Sequence, residues 1–162
     1  MRQRTFLMFK PDAYRDDLVE TIKKELENNG LVIEEYIELE VDLDVMKTLL
    51  EHYHLNINEM DPEFNVVGKM FNSFYYYGKK KIGPMIVSYD QDEDITVFTR
   101  NLIGKTSPEL ADINSIRGKY STDGYGQAGA ENRLVNNLVH ASDSLESADR
   151  ELKIWTKYFT KE

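Results

Sequence analysis

The apolar residues of this chain change their period several times, and the order of those changes constrains the fold more than any other feature. Residues 4–10 carry the run Phe6-Leu7-Met8-Phe9 and read as a strand. Leu18, Val19, Ile22 and Leu26 then recur at helical spacing until Asn28-Asn29-Gly30 supplies a stop. From Leu31 to Val41 the period returns to two, with Ile37, Leu39 and Val41 on one face and Glu38 and Glu40 on the other. Asp42 or Asp44 can cap a helix built on Val45, Met46, Leu49, Leu50 and Tyr53. Asp61-Pro62 opens a second helix, with Phe64, Val67, Phe71 and Phe74 as its inner stripe. Beyond Gly83-Pro84, Met85–Tyr89 reads as a third strand, and Ile95, Phe98 and Leu102 mark a helix stopped by Gly104. A long polar loop runs to Asn136, a short fourth strand ends near His140, and residues 145–152 have a helical composition. Trp155, Tyr158 and Phe159 are left to pack the tail.

The order is strand–helix–strand, two helices, strand–helix–strand. Two such units sharing one antiparallel sheet predict an α+β protein of ferredoxin-like βαββαβ type, with added helices and an extended loop before His140. At 162 residues the chain is expected to form a single domain over its whole length.

Composition narrows the chemistry. The absence of cysteine excludes disulfides, thiolate metal sites and thiol nucleophiles. Met1-Arg2-Gln3-Arg4 leads directly into a strand, not into a signal-peptide apolar stretch, and no apolar run approaches the roughly 20 residues that span a bilayer. A cytoplasmic protein without membrane attachment is expected. A formal net charge of −9 disfavours general nucleic-acid binding, because most of the surface would repel a polyanion.

Against that acidic background, a few cationic and nucleophilic positions stand out. His140 closes the apolar Leu138-Val139 and is followed by the small residues Ala141-Ser142-Asp143-Ser144. A neutral imidazole displayed among small neighbours is a competent nucleophile near pH 7, although a lone histidine after a strand is more commonly structural. Lys10-Pro11-Asp12 follows the first apolar run, which places an ammonium at the end of an inner strand. Arg100, then Thr106 six positions on, and Arg117 eleven beyond that, add two guanidinium groups and a hydroxyl.

Lys10-Pro11-Asp12, His52-Tyr53, the Arg100–Thr106–Arg117 spacing and Asn137-x-x-His140-Ala-Ser-Asp-Ser occur in the order seen in nucleoside diphosphate kinases, and the chain resembles that family from Arg4 to about Phe159. The resemblance implies transfer of a γ-phosphoryl group, typically from ATP, to a nucleoside diphosphate by a ping-pong route through phosphorylated His140. It further implies that Lys10, Arg100 and Arg117 hold phosphates, that Thr106 donates its hydroxyl to them and that Asn137 bonds the ribose. Glu151, eleven residues after His140, is implied to orient the imidazole, the alternative being a surface glutamate paired with Arg150 or Lys153. Ser142 and Tyr53 are implied to support the histidine. Phe64 is the candidate for stacking on the base, or equally a core residue of its own helix. Mg²⁺ is implied to arrive on the nucleotide phosphates without a dedicated protein ligand. Asp143 could meet a metal-bound water or cap the following helix. Nucleoside di- and triphosphates are the implied partners, with a homo-oligomer as the implied assembly.

The chain departs from the family pattern in places. Residues 74–82 are an insertion, and a second lies between Arg117 and Asn137; Ala141, Ala13 and Ile113-Asn114 replace glycine, glycine and Pro-Gly. Two further patterns invite other readings. Gly124-Tyr125-Gly126-Gln127-Ala128-Gly129 spells a dinucleotide fingerprint but follows a polar segment, so it is read as a flexible loop. Tyr75-Tyr76-Tyr77-Gly78-Lys79-Lys80-Lys81 interleaves aromatics with cations as a single-strand binder would, and the net charge favours an exposed hairpin instead. His52 and His54 are two apart, on different sides of a helix, and are expected at the surface or a helix end without a shared metal. Three functions therefore compete: an active kinase, a nucleotide-binding or regulatory relative without turnover, and a nucleic-acid binder.

Overall fold

The computed structural model describes residues 2–159. The chain runs through β1 (Gln3–Phe9), α1 (Pro11–Arg15), α2 (Val19–Asn28), β2 (Val32–Tyr36), β3 (Leu39–Glu40), α3 (Leu43–His52), α4 (His54–Glu59) and α5 (Val66–Phe74). It continues through β4 (Lys81–Tyr89), α6 (Ile95–Ile103), α7 (Ile116–Tyr120), α8 (Tyr125–Ala130), β5 (Val139–Ala141) and α9 (Leu145–Trp155). The strands form one antiparallel sheet in the order β2-β4-β1-β5, with β3 also paired to β4. This is the ferredoxin-like arrangement.

β1 is apolar without alternation because both of its faces are covered. Leu7 and Phe9 enter a core shared with Ile22, Leu26, Met85, Val87 and Ile103, whereas Phe6 and Met8 enter a second core with Met46, Leu49, Phe74 and Trp155. The second core takes up Trp155, Tyr158 and Phe159, so the tail closes one face of the sheet. Caps match local sequence: Asp42 accepts from the Val45 amide, Asp94 from Thr96 and Ser144 from Ser147.

Several expectations from the sequence are corrected. Gly83-Pro84 lies inside β4, with Pro84 opposite Met8, and does not form a turn before it. The expected strand 31–41 is correspondingly divided: Tyr36 pairs with Met85 and Leu39 with Ile82, so Ile37 and Glu38 lie opposite Pro84 and Gly83. The Ile37 amide donates to the Pro84 carbonyl, but Pro84 has no N–H to return the bond, and the ladder breaks there.

The expected helix from Pro62 to Phe74 is also two pieces. Asp61 caps a short 3₁₀ turn over Pro62–Phe64, Asn65 turns left-handed at φ 56°, and its side chain caps α5 by accepting from Gly68. The break swings Phe64 and Val67 out to solvent, leaving Met70 and Phe74 as the buried residues of α5.

The region read as a long loop holds a 3₁₀ turn at Pro108–Leu110 together with α7 and α8. The glycine pattern falls on α8, a short helix and not a flexible loop; Ser121–Asp123 before it is not a strand, and a Cβ at Gly126 or Gly129 would meet nothing within 4 Å. In the tyrosine–lysine segment, Tyr77 is exposed, but the Lys80 ammonium donates to the Asn72 and Ser73 carbonyls at the end of α5, and Lys81 pairs with Glu38 at 3.0 Å. Two of its three lysines thus serve the fold.

The end of α5, just before the first inserted segment, meets the second: Asn72 donates to the Asn132 carbonyl and the Leu134 amide donates to Ser73. Residues of both insertions line a cleft of about 850 Å³ whose walls do not include His140. The other cations of that cleft are engaged by carboxylates: Arg15 by Asp16, and Arg133 by Asp123 and Glu131. Among the described residues no helix is long and apolar enough to cross a membrane.

Candidate active site

The site groups come from the end of β1 (Lys10), from β5 (His140), the end of α3 (His52, Tyr53), α6 (Arg100), α7 (Arg117) and the middle of α9 (Glu151). β5 pairs with β1 so that His140 sits opposite Met8, beside the strand end that carries Lys10. Just before β5 the backbone is forced. Leu138 has φ 74°, and the Val139 amide donates to the Asn137 carbonyl at 2.8 Å, the pattern of a classic γ-turn. A left-handed leucine costs on the order of 1–3 kcal/mol and persists only where its surroundings over-determine it. Here the Asp12 carboxylate accepts from the Leu138 amide at 2.9 Å, and the Lys10 amide donates to the Leu138 carbonyl at 2.8 Å. The Lys-Pro-Asp motif therefore holds the strained turn that delivers Asn137 and His140.

The Lys10 ammonium is buried, donating to the Val135 carbonyl at 2.8 Å and to Asn137 Oδ1 at 3.0 Å. Asn137 passes the chain on by donating to the Thr106 carbonyl. Burial, opposed by Asp12 and reinforced by Arg117, lowers Lys10 to about 8. Arg117 is buried too; its Nε, Nη1 and Nη2 donate to the carbonyls of Asn137, Gly104 and Val139. Three of the five N–H groups are so engaged, and two remain for a ligand. Burial, then the neighbouring Arg100 charge, lowers Arg117 to about 10. Arg100 is half-exposed and pairs with Asp143 at 2.5 Å. Thr106 is exposed. Lys10, Arg117 and Thr106 are thus tied to the Asn137–Val139 segment that leads into His140, and Arg100 to Asp143 just after it.

Glu151 projects from α9 and is 3 % exposed. Its Oε1 accepts from Ser142 Oγ at 2.8 Å and lies 2.8 Å from His140 Nε2. Burial by itself would raise this carboxyl, but the hydrogen bond and charge of His140, with His52 and Ser142, outweigh it and hold Glu151 down to about 2. An ionised carboxylate only accepts, so the His140 proton resides on Nε2 and Nδ1 keeps its lone pair. Arg150 is also within 3.5 Å of Glu151, but the burial of Glu151 is not that of a surface pair. The Tyr53 ring stands edge-on to His140 at 5.7 Å. Phe64 lies outside the cores, 43 % exposed, with the Lys69 ammonium 3.4 Å above its ring.

His52 was expected at a surface or helix end; it does end α3, but it is buried against His140, Phe6 and Trp155. His54 points away, exposed, onto the Glu51 carbonyl. The burial of His52 could have been suspected from Leu49, three positions earlier on the apolar face of α3. Its partner Trp155 lies 103 positions away and could not.

Comparison with known proteins follows the same lines. The family model described as nucleoside diphosphate kinase matches residues 3–160. A nucleoside diphosphate kinase of Methanosphaera stadtmanae is 33% identical over 155 residues, covering 96% of this chain and 86% of that protein. One from Exiguobacterium sibiricum is 31% identical over 153 residues, with 94% of each chain covered. A transition state mimic of the Borrelia burgdorferi enzyme with bound vanadate and ADP superposes with a TM-score of 0.81 at 25% identity, over 95% of this chain and 86% of that one. The NDP kinase of Pyrobaculum aerophilum gives 0.72 at 27% identity over 96% of both. With a matching family model over nearly its whole length and relatives above 30% identity, the chain belongs to the nucleoside diphosphate kinase family.

Proposed function

We propose that this chain transfers the γ-phosphoryl group of a nucleoside triphosphate to a nucleoside diphosphate through a phosphohistidine at His140. The observation that carries the reading is the 2.8 Å contact between His140 Nε2 and the buried Glu151 carboxylate. It fixes the proton on Nε2 and leaves Nδ1 as the nucleophile. Attack of Nδ1 on the γ-phosphorus breaks the bond to the bridging oxygen, and the diphosphate leaves. The positive charge that develops on the imidazole is met by Glu151. A second diphosphate then takes the phosphoryl group back from Nδ1 in the same pocket, so two mutually repelling nucleotides are never bound together.

Arg100 and the two unengaged N–H groups of Arg117 suit the phosphate oxygens, because a guanidinium offers parallel donors to an oxyanion. Lys10 adds a buried point charge, and its link to Asn137 couples phosphate to ribose recognition. Thr106 offers its hydroxyl to a phosphate oxygen. Phe64, exposed and already engaged by a cation, presents a face that accepts any base. Mg²⁺ bound on the nucleotide phosphates would neutralise part of their charge. The protein groups around the phosphate position are mainly cations, which fits a metal carried by the nucleotide and not by a protein cage, with Asp143 the exposed carboxylate beside them. The family habit of symmetric assembly and the exposure of Leu110 and Ile113 support a homo-oligomer, and the cysteine-free acidic composition supports a cytoplasmic setting.

The test is phosphoryl transfer from γ-labelled ATP with magnesium. The chain should acquire an acid-labile, alkali-stable label and pass it to several nucleoside diphosphates, and His140→Ala should do neither. A folded wild-type chain that takes no label would overturn the assignment.

A further inference from the structure

Beside the proposed nucleophile lies a second imidazole that the transfer chemistry does not require. His52 Nε2 is 3.1 Å from His140 Nε2 and 3.8 Å from Glu151 Oε1, and the ring is 2 % exposed. On its other side, Trp155 Nε1 lies 3.0 Å from His52 Nδ1. An indole N–H is a donor only, so Nδ1 must supply the lone pair. A neutral imidazole with a bare Nδ1 carries its proton on Nε2. His52 Nε2 therefore carries an N–H, as His140 Nε2 does, so the 3.1 Å approach of the two nitrogens is not a hydrogen bond between them; both N–H groups face the one acceptor, Glu151 Oε1, at 3.8 and 2.8 Å.

The facing charges favour that state. Burial, then the proximity of His140, lowers His52 to about 3; Arg150 acts the same way and Glu151 opposes. Tyr53 packs edge-on against the ring at 4.5 Å, and Phe6 and Trp155 close the remaining sides.

His52, His140 and Glu151 also have the composition of a metal site, and their ligand atoms all lie within 4.8 Å of one another. A zinc ion with bonds of about 2.0–2.1 Å would need bare Nε2 atoms on both histidines. Trp155 places a proton on one of them. The cluster is accordingly a hydrogen-bond device.

We propose that His52 is a positioning residue for phosphoryl transfer: locked by Trp155 with its proton on Nε2, it cannot accept the His140 proton. Glu151 is then the acceptor of that proton, and His140 Nδ1 stays bare. The inference rests on the reading of His140 as the phosphoryl acceptor. If His52 could change tautomer, its Nε2 would compete with Glu151 for the His140 N–H. If it could take a second proton, a cation would stand beside the imidazolium formed during transfer.

The deciding experiment is long-range ¹H–¹⁵N correlation on the ¹⁵N-labelled full chain, which reads the tautomer and protonation of each imidazole without turnover. The wild type should show His52 with its proton on Nε2 and no protonation down to pH 5. A proton found on Nδ1 overturns the lock even if the enzyme is fully active. In Trp155→Phe, which keeps the ring buried but removes the indole N–H, His52 should lose its fixed tautomer and show its proton shared between Nδ1 and Nε2. The Nδ1–H form turns a bare Nε2 toward His140, and the single-turnover rate of His140 phosphorylation should fall severalfold below the wild type, with KM little changed. A proton that stays on Nε2 in this variant, or a shared proton with an unchanged rate, overturns the proposal. His52→Gln, which keeps an N–H donor and an acceptor for Trp155, should restore the wild-type rate that His52→Leu loses; equal loss in both would overturn it in favour of a packing role only. Wild-type tautomers as described in a chain that takes no phosphate would instead refute the kinase reading alone.

Discussion

Replacing Glu151 by glutamine removes one charge from the centre of the site while keeping its shape, and both the cost to folding and the cost to catalysis can be worked out. The carboxyl is held at about 2, against 4.5 for an ordinary glutamate. At about 1.4 kcal/mol per tenfold change in proton affinity, this is worth about 3 kcal/mol of native-state stability at neutral pH. Because the folded value lies below the unfolded one, the contribution is fully present above pH 4.5 and is lost as the pH falls toward 2. Urea unfolding should therefore show Glu151→Gln less stable than the wild type by up to about 3 kcal/mol at pH 7, with the gap closing below pH 4. Catalysis loses a different quantity. The glutamine oxygen can still accept from His140, but a hydrogen bond to a charged partner is worth about 1.5–3 kcal/mol against about 1 for a neutral one. The difference grows as the imidazole becomes cationic, so about 2 kcal/mol of transition-state stabilisation should vanish, a fall of roughly 30-fold in kcat. Single-turnover labelling by γ-labelled ATP measures that step. A variant within threefold of the wild type would refute the argument that this carboxylate meets the developing charge.

Lys10 is charged below about 8, so kcat/KM for nucleotide should decline as pH rises through that value, and Lys10→Gln should lower the plateau and remove the decline. Phe64→Ala should raise nucleotide KM several-fold with under about 0.5 kcal/mol change in stability, since the ring is exposed, whereas Phe74→Ala empties a fully buried site and should cost about 3–5 kcal/mol in urea titration. Asp123 accepts two bonds from Arg133 and one from the Asn136 amide, so Asp123→Ala should destabilise the chain by about 2–4 kcal/mol and weaken nucleotide binding through the loosened approach to Asn137, as read by thermal melting with and without ADP.

Much of the molecule was legible before any coordinates. Strand and helix periods, the cap at Asp42, and the order of the Lys-Pro-Asp, arginine and histidine motifs are local properties, set by neighbours within a turn or two; the last helix is capped by Ser144 and not by Asp143. The antiparallel ferredoxin-like sheet follows from their order. Local rules failed where a distant partner decided the outcome. The third strand was expected to begin at Met85, after Gly83-Pro84, yet β4 starts at Lys81 and the sheet accepts Pro84 where its missing N–H is a ladder bond lost toward Ile37. Asn65 could have continued a helix and instead breaks it, which exposes Phe64.

The sequence alone determined which reacting groups exist and the order in which the strands carry them, because motif and periodicity are written in adjacent residues. The tertiary structure decided their states. That Lys10 is buried, that Arg117 spends three donors on carbonyls, that Glu151 stays ionised and that His52 is held by Trp155 are consequences of desolvation and of contacts between residues far apart in the chain, and neither has a period that can be read along it.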